Sequence, residues 1–546
     1  MNSQDDIIAP ALDPGAKESI KEKTRKRTLG NLRLIHQETN TVILVPAPSS
    51  DPNDPLNWYM STWRKHYVAG VLCLAMAVCN FLAAGPAIAM PATAMDFYPD
   101  ALADGTLMTS AIPKVAYFFT TTSLLQGMGN IVWVPAANKW GRRPVYVLSY
   151  AIYFATAVWL IFEKSYAKFL AGRILMGFGS GAAETLAPIT IADIFFLHER
   201  GRVMSAYTCF LSVGASGGLV VSGLITINHG WRTIYQVGSA LVGFVLLALF
   251  FTVPETSYSR AHDHGPPCLE RAGRLPTSAA TQGGPPSEKK MSHVESLMVF
   301  QIAGTSENMF KMMIRPFGLI LLPPVLWSAL ALAVTIGFLV AVSSNSAAAF
   351  GQTYGFASYQ AGLCFIAGIV GSLLGLPAGG HLGDKVANVL TKRNNGIREP
   401  EMRLPAVMIS AITAPLALIL YGVGIQYKLH WICPTIGIGL LNFSITQANT
   451  ICIVYVIDSY RPVAGEITLA VTGFKSLFAF FLSFETNPWV ELSGYQDAYG
   501  AMAGIAGGIL ILWIPLYFWG KKLRHCSWQW RVVSFIHWDN DREVGE

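Results

Sequence analysis

The sequence has few charged residues and few cysteines for its length. Asp, Glu, Lys and Arg make up 13% of the 546 residues, whereas 52% are hydrophobic. A water-soluble protein of this size needs more charge to cover its surface, so the composition excludes an ordinary soluble fold. The eight cysteines contain no CxxC pair and mostly fall inside apolar runs, which excludes an evident disulfide framework or structural metal site.

Long apolar runs account for this composition. A helix needs about 20 apolar residues to cross a hydrocarbon core of about 30 Å, and backbone groups in lipid must be satisfied within the segment. The sequence therefore predicts an all-α membrane protein with twelve transmembrane helices, arranged as two six-helix bundles. The predicted spans are Tyr67–Met90, Leu107–Ala136, Val145–Phe162, Phe169–Ile191, Val203–Ile227, Ile234–Val253, Leu319–Val342, Tyr359–Ala378, Pro405–Ile425, Trp431–Ile457, Ile467–Phe484 and Ala498–Trp519.

Basic residues are distributed unevenly between the short loops. The gaps after spans 2, 4, 8 and 10 hold eleven Lys and Arg, and the gaps on the other side hold four. Basic loops stay in the cytosol, so we expect both termini to be cytosolic. The net charge of +6 then reflects membrane topology, and no nucleic-acid partner is expected. Residues 1–10 are polar and acidic, so the first span is expected to act as an uncleaved anchor.

The segments outside the spans define the domain organisation. We expect a disordered cytosolic arm over 1–65, one bundle over 66–253 and a second bundle over 317–520. A cytosolic linker over 254–316 has a Gly-, Pro- and Ser-rich centre that cannot form a core, although Phe300–Ile314 could form a surface helix. The tail 521–546 is rich in Trp, and either lies along the inner membrane surface or is disordered.

Two charged turns occur at equivalent positions in the two halves and indicate a duplication. The first reads PAANKWGRRP after span 2, and the second reads GGHLGDK after span 8. A second matching pair is the Asp that closes span 4 and the Asp that closes span 10, Asp193 and Asp458. A carboxylate at a helix C-terminus is opposed by the helix dipole, so we expect basic residues of the adjoining loops to neutralise both.

These turns resemble the signature turn of the major facilitator superfamily, over essentially all of Trp58–Trp519. Lys139, Gly141, Arg142 and Arg143 match that signature, while Asn138 stands where the family has Asp. The segments NDPLNW, RILMGFGSGAAETLAPITIADIFFLHERG and PETSYSR are similar to the fungal drug:proton antiporter-like branch, which includes polyamine, organic-cation and drug carriers. The resemblance implies two pseudo-symmetric bundles around a central cavity, gated on the cytosolic side by the charged turns.

The resemblance also implies which residues form that gate. Asn138 can hydrogen-bond but cannot form an ion pair, so the first turn should rely less on charge pairs. The implied cytosolic gate comprises Asn138, Lys139, Gly141, Arg142, Arg143, Asp193, Arg200, Gly380, Asp384, Lys385 and Asp458.

Ionisable residues inside the spans are candidates for function because charge in a membrane is costly. Span 4 carries Arg173 and Glu184, which are eleven residues apart and lie nearly on one helix face. Glu184 is the best candidate for a proton or cation site, and the alternative is a structural pair with Arg173 or another donor. For Lys475 in span 11 two roles stay open: pairing across the bundle interface with a carboxylate such as Glu184, or binding an anionic substrate.

Two polar stripes complete the candidate site. Asn442, Thr446 and Asn449 follow helical spacing in span 10, and Gln126 lies in span 2. Such stripes either hold helices together or line a wet cavity. In the superfamily, span 10 lines the cavity, so the resemblance implies substrate contact there.

The expected function is secondary transport of a small molecule by alternating access, driven by the proton gradient, without cofactor or metal. Export of a drug-like compound or secondary metabolite is the leading hypothesis. Uptake of an organic cation or polyamine, or a non-transporting sensor on the same fold, are the alternatives. An enzyme is not expected, because the spans contain no HExxH motif and no paired-carboxylate cluster. We expect a monomer in the lipid bilayer of the plasma membrane.

Overall fold

The structure is a computed structural model that describes residues 30, 32–33, 54–56, 62–100, 111–258 and 307–537. Within these residues the chain is almost entirely helical, because an apolar chain in lipid satisfies its backbone groups only within helices or closed barrels. The predicted all-α membrane fold is confirmed.

Six helices form the first half. In helix α1 a 3₁₀ turn at Gly85–Ala89 separates the main segment from a short outer one, and in α2 the two segments join through Gly129. The helices are α1 (Thr62–Ala84, then Met90–Phe97), α2 (Ile112–Met128 and Asn130–Trp140), α3 (Arg142–Phe162), α4 (Tyr166–Ile194), α5 (Leu197–Asn228) and α6 (Arg232–Thr252).

Six further helices form the second half. A short helix at Met309–Leu319 precedes them. The helices are α7 (Pro323–Tyr354), α8 (Ser358–Leu363 and Ile366–Pro377, continued by a π turn at Ala378–Leu382 and by Gly383–Arg393), α9 (Met408–Gln426, after a 3₁₀ segment at Pro400–Val407), α10 (Ile432–Ser459), α11 (464–493) and α12 (495–511 and Trp513–Trp528).

The described chain contains ten helical segments that are long and apolar enough to cross a membrane. One of them, Arg461–Trp528, has 68 residues and is too long for a single crossing at about 1.5 Å per residue. Gly494 reverses the chain within it, with φ 79° and ψ 166°, so the segment contains both α11 and α12. Helix α2 is the twelfth span. Its start contacts the start of α4, where Tyr166 donates to the carbonyl of Lys114, and its end is linked to the end of α4 through Arg142, which binds both Asn138 and Asp193.

The two halves meet along α2 and α5 of the first half and α8, α10 and α11 of the second. In the first half α1 packs on α5, and α2 packs on α4; in the second half α7 packs on α11, and α9 packs on α10 and α12. Across the halves, α2 packs on α11 and α5 packs on α8 and α10. Helices α3 and α6 pack on each other and on their own half, as expected for peripheral helices without interior charges.

We call the end of the bundle that carries residues 138–143 and 380–385 the gate face. The chain outside the spans is ordered here to a greater extent than the sequence predicts. Met309–Leu319 forms a helix that overlaps the expected surface helix Phe300–Ile314, and α12 continues into the predicted tail as far as Trp528. Phe535 and Ile536 then pack against Gly318, since burying these side chains removes apolar surface from water.

Part of the predicted disordered arm is also ordered, which corrects the expectation for those residues. Leu32–Arg33 (β1) pairs antiparallel with Ile397–Arg398 (β2). Gly30 has a φ of +74° and lies against Arg524 and the backbone of residues 458–459, where a side chain would not fit. Local composition gave no sign of this contact, because its partner lies more than 300 residues away. The remainder of 1–53 lies outside the described residues.

Candidate functional site

Close packing of α2 against α4 sets the position of the central site. A Cβ on Gly177 would overlap the backbone of Thr122, and a Cβ on Gly181 would overlap the carbonyl of Gln126. Only glycine permits this approach, which is the usual role of small residues between membrane helices. Glu184 follows Gly181 by one turn on α4, so the close packing holds its backbone beside the interface between the halves.

Glu184 and Lys475 form an ion pair across that interface. The Lys475 Nζ donates to Glu184 Oε1, and both side chains are buried, with relative exposures of 1% and 6% for the two residues. The second carboxylate oxygen, Oε2, has no hydrogen-bond partner among the described residues. A buried charge pair is held mainly by its mutual attraction, and an unpartnered carboxylate oxygen beside it can accept a proton or a cation.

Small polar side chains surround this pair. Gln126 donates to the sulfur of Cys79, which lies 3.3 Å from the carbonyl of Ser180 on α4. On the other side, the hydroxyls of Thr185 and Thr472 are 3.4 Å apart across the two halves. The site therefore contains one acid and one base in a shell of neutral donors and acceptors.

Contacts on both sides enclose the site. At the gate face, Ser205 on α5 donates to the carbonyl of Leu376 on α8. At the opposite face, the rings of Tyr117 on α2 and Phe484 on α11 are 5.3 Å apart, and Gly223 packs against Tyr359. The halves are thus in contact at both ends of the interface, and the Glu184–Lys475 pair is buried between these contacts.

Arg173 does not join the central pair, although the sequence places it on the same stripe of α4. Its guanidinium donates to the carbonyls of Phe118 (2.8 Å) and Leu82 (3.1 Å) and lies over the ring of Phe119. Its partners belong to α1 and α2, so its hydrogen bonds tie helices of the first half together. Substrate or proton binding by Arg173 stays a prediction, and these contacts favour a structural role.

The polar stripe on α10 makes contacts in two directions. Asn442 accepts hydrogen bonds from Ser212 (2.6 Å) and Ser216 (3.1 Å) of α5, in the other half. Asn449 accepts from Thr335 of α7 at 3.0 Å, within its own half. The Thr446 hydroxyl and the Asn449 amide nitrogen have no partner in the described part of the chain. The stripe thus both joins helices and leaves polar atoms available, and its role in substrate contact stays a prediction.

A basic residue of the first charged turn pairs with Asp193, as predicted for a carboxylate at the C-terminus of a helix. Arg142 lies 3.3 Å from the carboxylate of Asp193 and donates to Asn138 at 2.6 Å. Arg143 donates to the carbonyl of Phe250 on α6. Asn138 therefore supplies a hydrogen bond where an aspartate would supply a charge.

Glu255, which follows α6, is a partner of this turn that the sequence did not single out. Its carboxylate accepts from the backbone N–H of Arg142 (2.9 Å) and of Arg143 (3.1 Å), the first residues of α3. A carboxylate at a helix N-terminus is stabilised by unsatisfied N–H groups and by the helix dipole. Glu255 lies in the motif PETSYSR, which the sequence marked as a point of resemblance to the family. The sequence did not show that this glutamate binds the start of α3.

A charge network at the gate face joins the two halves. Arg200, at the start of α5, pairs with Asp458, at the end of α10, at 3.1 Å, with both side chains 4% exposed. Arg403 lies 2.8 Å from Asp384 and 3.8 Å from Asp458. Asp458 is therefore neutralised by basic residues near the gate, as expected. Arg403 also belongs to this network, although from the sequence it was only one of the basic residues in the loop after span 8.

The network also perturbs a loop arginine. Burial lowers the pKa of the Arg398 guanidinium below its ordinary value, and repulsion from Arg403 lowers it further, while Asp458 and Asp384 oppose the shift. Arg398 is the residue of β2 that pairs with Leu32 of β1. The ordered part of the arm therefore contacts the chain beside the network.

The remaining predicted gate residues occupy different environments. Gly380 lies where the halves touch, since a Cβ there would lie 3.0 Å from the Cβ of Ser205. Gly201, which was not among the predicted residues, lies at the same contact, where a Cβ would overlap the Asp384 carboxylate. Lys139 and Lys385 are exposed and make no ion pair with the described residues. Within the described chain, no group of three His, Cys, Asp or Glu side chains could hold a metal ion.

Comparisons with known proteins agree with this architecture. The sequence pattern of the Major Facilitator Superfamily matches residues 70–484. The uncharacterized MFS-type transporter C1271.10c of Schizosaccharomyces pombe is 24% identical, over 93% of this chain and 92% of that protein. Efflux pump radE of Floropilus chiversii is 25% identical, over 87% of this chain and 83% of that protein.

Among solved structures, the proton:xylose symporter XylE superposes with a TM-score of 0.56 at 16% identity, covering 84% of this chain and 96% of XylE. At this identity the likeness shows the fold alone. The predicted resemblance to the superfamily, with fungal efflux-type transporters among its relatives, is confirmed. The chain is a multi-pass membrane protein that belongs to the major facilitator superfamily.

Proposed function

We propose that the protein is a proton-coupled carrier that exports a small organic molecule by alternating access. One observation carries this proposal: the ion pair between Glu184 and Lys475 is buried at the centre, with one residue in each half. Protonation of Glu184 would remove the attraction that holds α4 to α11. The pair therefore couples the charge of one carboxylate to the separation of the halves.

The same carboxylate can serve both a proton and a substrate. Oε2 of Glu184 has no partner in the described residues, and a bound cation would compete with Lys475 and with a proton for this group. Competition for one site is what antiport requires, because substrate leaves when the proton binds. A cationic or amine-bearing substrate fits this chemistry, and the neutral side chains of Gln126 and Asn442 would provide hydrogen bonds.

Export, rather than uptake, is supported by the relatives. One similar protein bears the name efflux pump. The basic gate-face loops support a cytosolic gate face with both termini in the cytosol. Export from the cell would place the carrier in the plasma membrane. Expression of the gene in a strain that lacks it, scored for resistance and for accumulation across a compound panel, tests the direction: resistance with lowered accumulation supports export, and raised accumulation indicates uptake.

The role of the central pair is tested by Glu184→Gln in the full chain, reconstituted in liposomes with an imposed pH gradient. We expect the variant to abolish pH-driven movement of the substrate that the screen identifies, because the amide cannot exchange a proton. Glutamine has the same shape, but it leaves the Lys475 ammonium buried without its counter-charge, so the thermal unfolding midpoint of the variant is measured first to establish that it is folded.

The matched control is Glu485→Gln, which removes the same charge at an exposed position near the end of α11. This control should transport normally. Full-rate, pH-driven transport by Glu184→Gln would refute the assignment of the proton site. Absence of any transport by the unmodified protein across the panel would instead favour the non-transporting sensor.

A further inference from the structure

A second polar site lies at the gate face, away from the central pair. A pocket of about 400 Å³ opens between the start of α5 and the helix Gly383–Arg393. It is lined by Arg202, His381, Asp384, Lys385, Asn388, Val389 and Lys392. Arg202 belongs to the first half and the other six to the second, so the pocket bridges the two halves.

The pocket carries positive charge that none of the described residues neutralises. Arg202, Lys385 and Lys392 are exposed and form no ion pair with any residue that the structure describes. Asp384 is the one acidic residue in the lining, but its side chain is only 6% exposed and lies 2.8 Å from Arg403. Basic side chains that line a concave surface and lack acidic partners create a positive electrostatic potential there, which attracts an anion.

Apolar surface lies directly beside these charges. Lys385, Val389 and Lys392 are spaced four and three residues apart, so they lie on one exposed face of the helix. Val389 is 44% exposed, and Leu382, just before the helix, is 36% exposed. This helix continues directly from α8, which places it at the membrane boundary. A basic face that includes exposed apolar side chains is typical of contact with lipid rather than with a soluble anion.

We propose that this pocket binds the phosphate-bearing headgroup of an anionic membrane lipid. The lysines and Arg202 contact the phosphate, Asn388 can donate from its amide, and the acyl chains lie along Val389 and Leu382. Basic pockets between transmembrane helices on the cytosolic side are suited to such headgroups. This inference does not depend on the identity of the transported substrate.

A bound headgroup would also favour the closed gate face. Beside the pocket, Gly201 packs directly on Asp384 and Gly380 packs on Ser205, so the two halves are already in contact there. Separation of the halves would move Arg202 away from Lys385 and Lys392 and split the site. A ligand that binds one conformation better shifts the population toward it, so anionic lipid should hold this face shut.

The test uses the full chain, purified in a neutral detergent and titrated with a short-chain phosphatidylserine. Binding is followed by the upward shift of the thermal unfolding midpoint, from which an apparent Kd is obtained. We expect saturable binding of phosphatidylserine. The double variant Lys385→Gln/Lys392→Gln should weaken this binding by roughly tenfold or more, because it removes two of the three cations that attract the phosphate. Short-chain phosphatidylcholine should bind more weakly and should not respond to the substitutions.

Two controls separate the alternatives. Lys164→Gln/Lys168→Gln removes the same charge from the opposite face and should leave phosphatidylserine binding unchanged. Inorganic phosphate should give no saturable shift; if it binds as well as the lipid and with the same dependence on Lys385 and Lys392, the site takes a soluble phosphate and the lipid assignment is overturned. Equal phosphatidylserine binding by all variants would also overturn it.

Discussion

At the scale of single residues, the buried charges in the middle of the spans differ in where their partners lie. Glu184 pairs across the halves with Lys475, whereas Arg173 contacts backbone carbonyls and aromatic rings within its own half. Both arginine and glutamate are costly in the membrane, but only the second is placed where protonation can change the contact between halves. Burial of a charged side chain therefore identifies candidate functional residues. The location of its partner decides which of them can couple protonation to movement of the two halves.

The Arg200–Asp458 pair yields a prediction at the same scale. Arg200→Gln should lower the free energy of unfolding by about 2 kcal/mol, because it leaves the Asp458 carboxylate buried. The effect should stay below the value for an isolated buried charge, since Arg403 remains 3.8 Å from Asp458. Asp458→Asn in the Arg200→Gln background should recover part of the loss. Denaturant titration of the two single variants and the double variant gives the coupling energy, and additive losses would contradict the pairing.

At the scale of elements, side chains from outside the spans fix the ends of the helices. Glu255 follows α6 and accepts the first N–H groups of α3, so the end of the first bundle is fastened to its charged turn. Gly141 precedes α3 with a φ of +99° and contacts the same carboxylate. A glycine is needed there because other residues rarely adopt that backbone conformation.

The capping role of Glu255 predicts a loss of stability. Glu255→Ala should lower the free energy of unfolding by about 1 kcal/mol, because the N-terminal N–H groups of α3 lose their acceptor and the dipole loses its counter-charge. Denaturant unfolding of the purified variant measures this loss. Glu485→Ala, at an exposed position, serves as the control and should change stability little. A loss of the same size in both variants would argue against capping.

At the scale of the whole molecule, the two halves touch at both faces and enclose the central pair. Alternating access then requires that contacts at one face break while those at the other hold. The gate face is held by Arg200–Asp458, by Ser205–Leu376 and by the glycine contacts at Gly201 and Gly380. If the proposed lipid binds, it adds to this face and biases the equilibrium toward closure there.

A cross-link across the gate face tests this motion. Ser205→Cys/Gly380→Cys, made after replacing Cys268 and Cys526 by Ser, should form a disulfide on oxidation, because Cβ atoms at these positions would lie 3.0 Å apart and need only a small shift to reach about 3.8 Å. We expect oxidation to stop transport and reduction to restore it. Ser205→Cys alone should be insensitive to oxidant. Undiminished transport by the fully cross-linked protein would contradict opening at this face.

The sequence by itself determined the twelve spans, their grouping and the candidate charges. Apolar runs of membrane length fix helices without reference to distant partners, and the cost of charge in lipid makes residues such as Glu184 and Lys475 conspicuous. The charged turns also indicated that Asp193 and Asp458 need basic partners. These features are local or compositional, and local physics is sufficient to read them.

Only the tertiary structure decided which of these residues meet. Glu184 and Lys475 are 291 positions apart, and Arg173, eleven positions from Glu184, proves to face other helices. Glu255, Arg403 and the docked strand β1 became visible only as contacts, because packing rather than spacing brings distant segments together. The sequence could therefore name the charges, but the close approach of helices through glycines set the distances on which their chemistry depends.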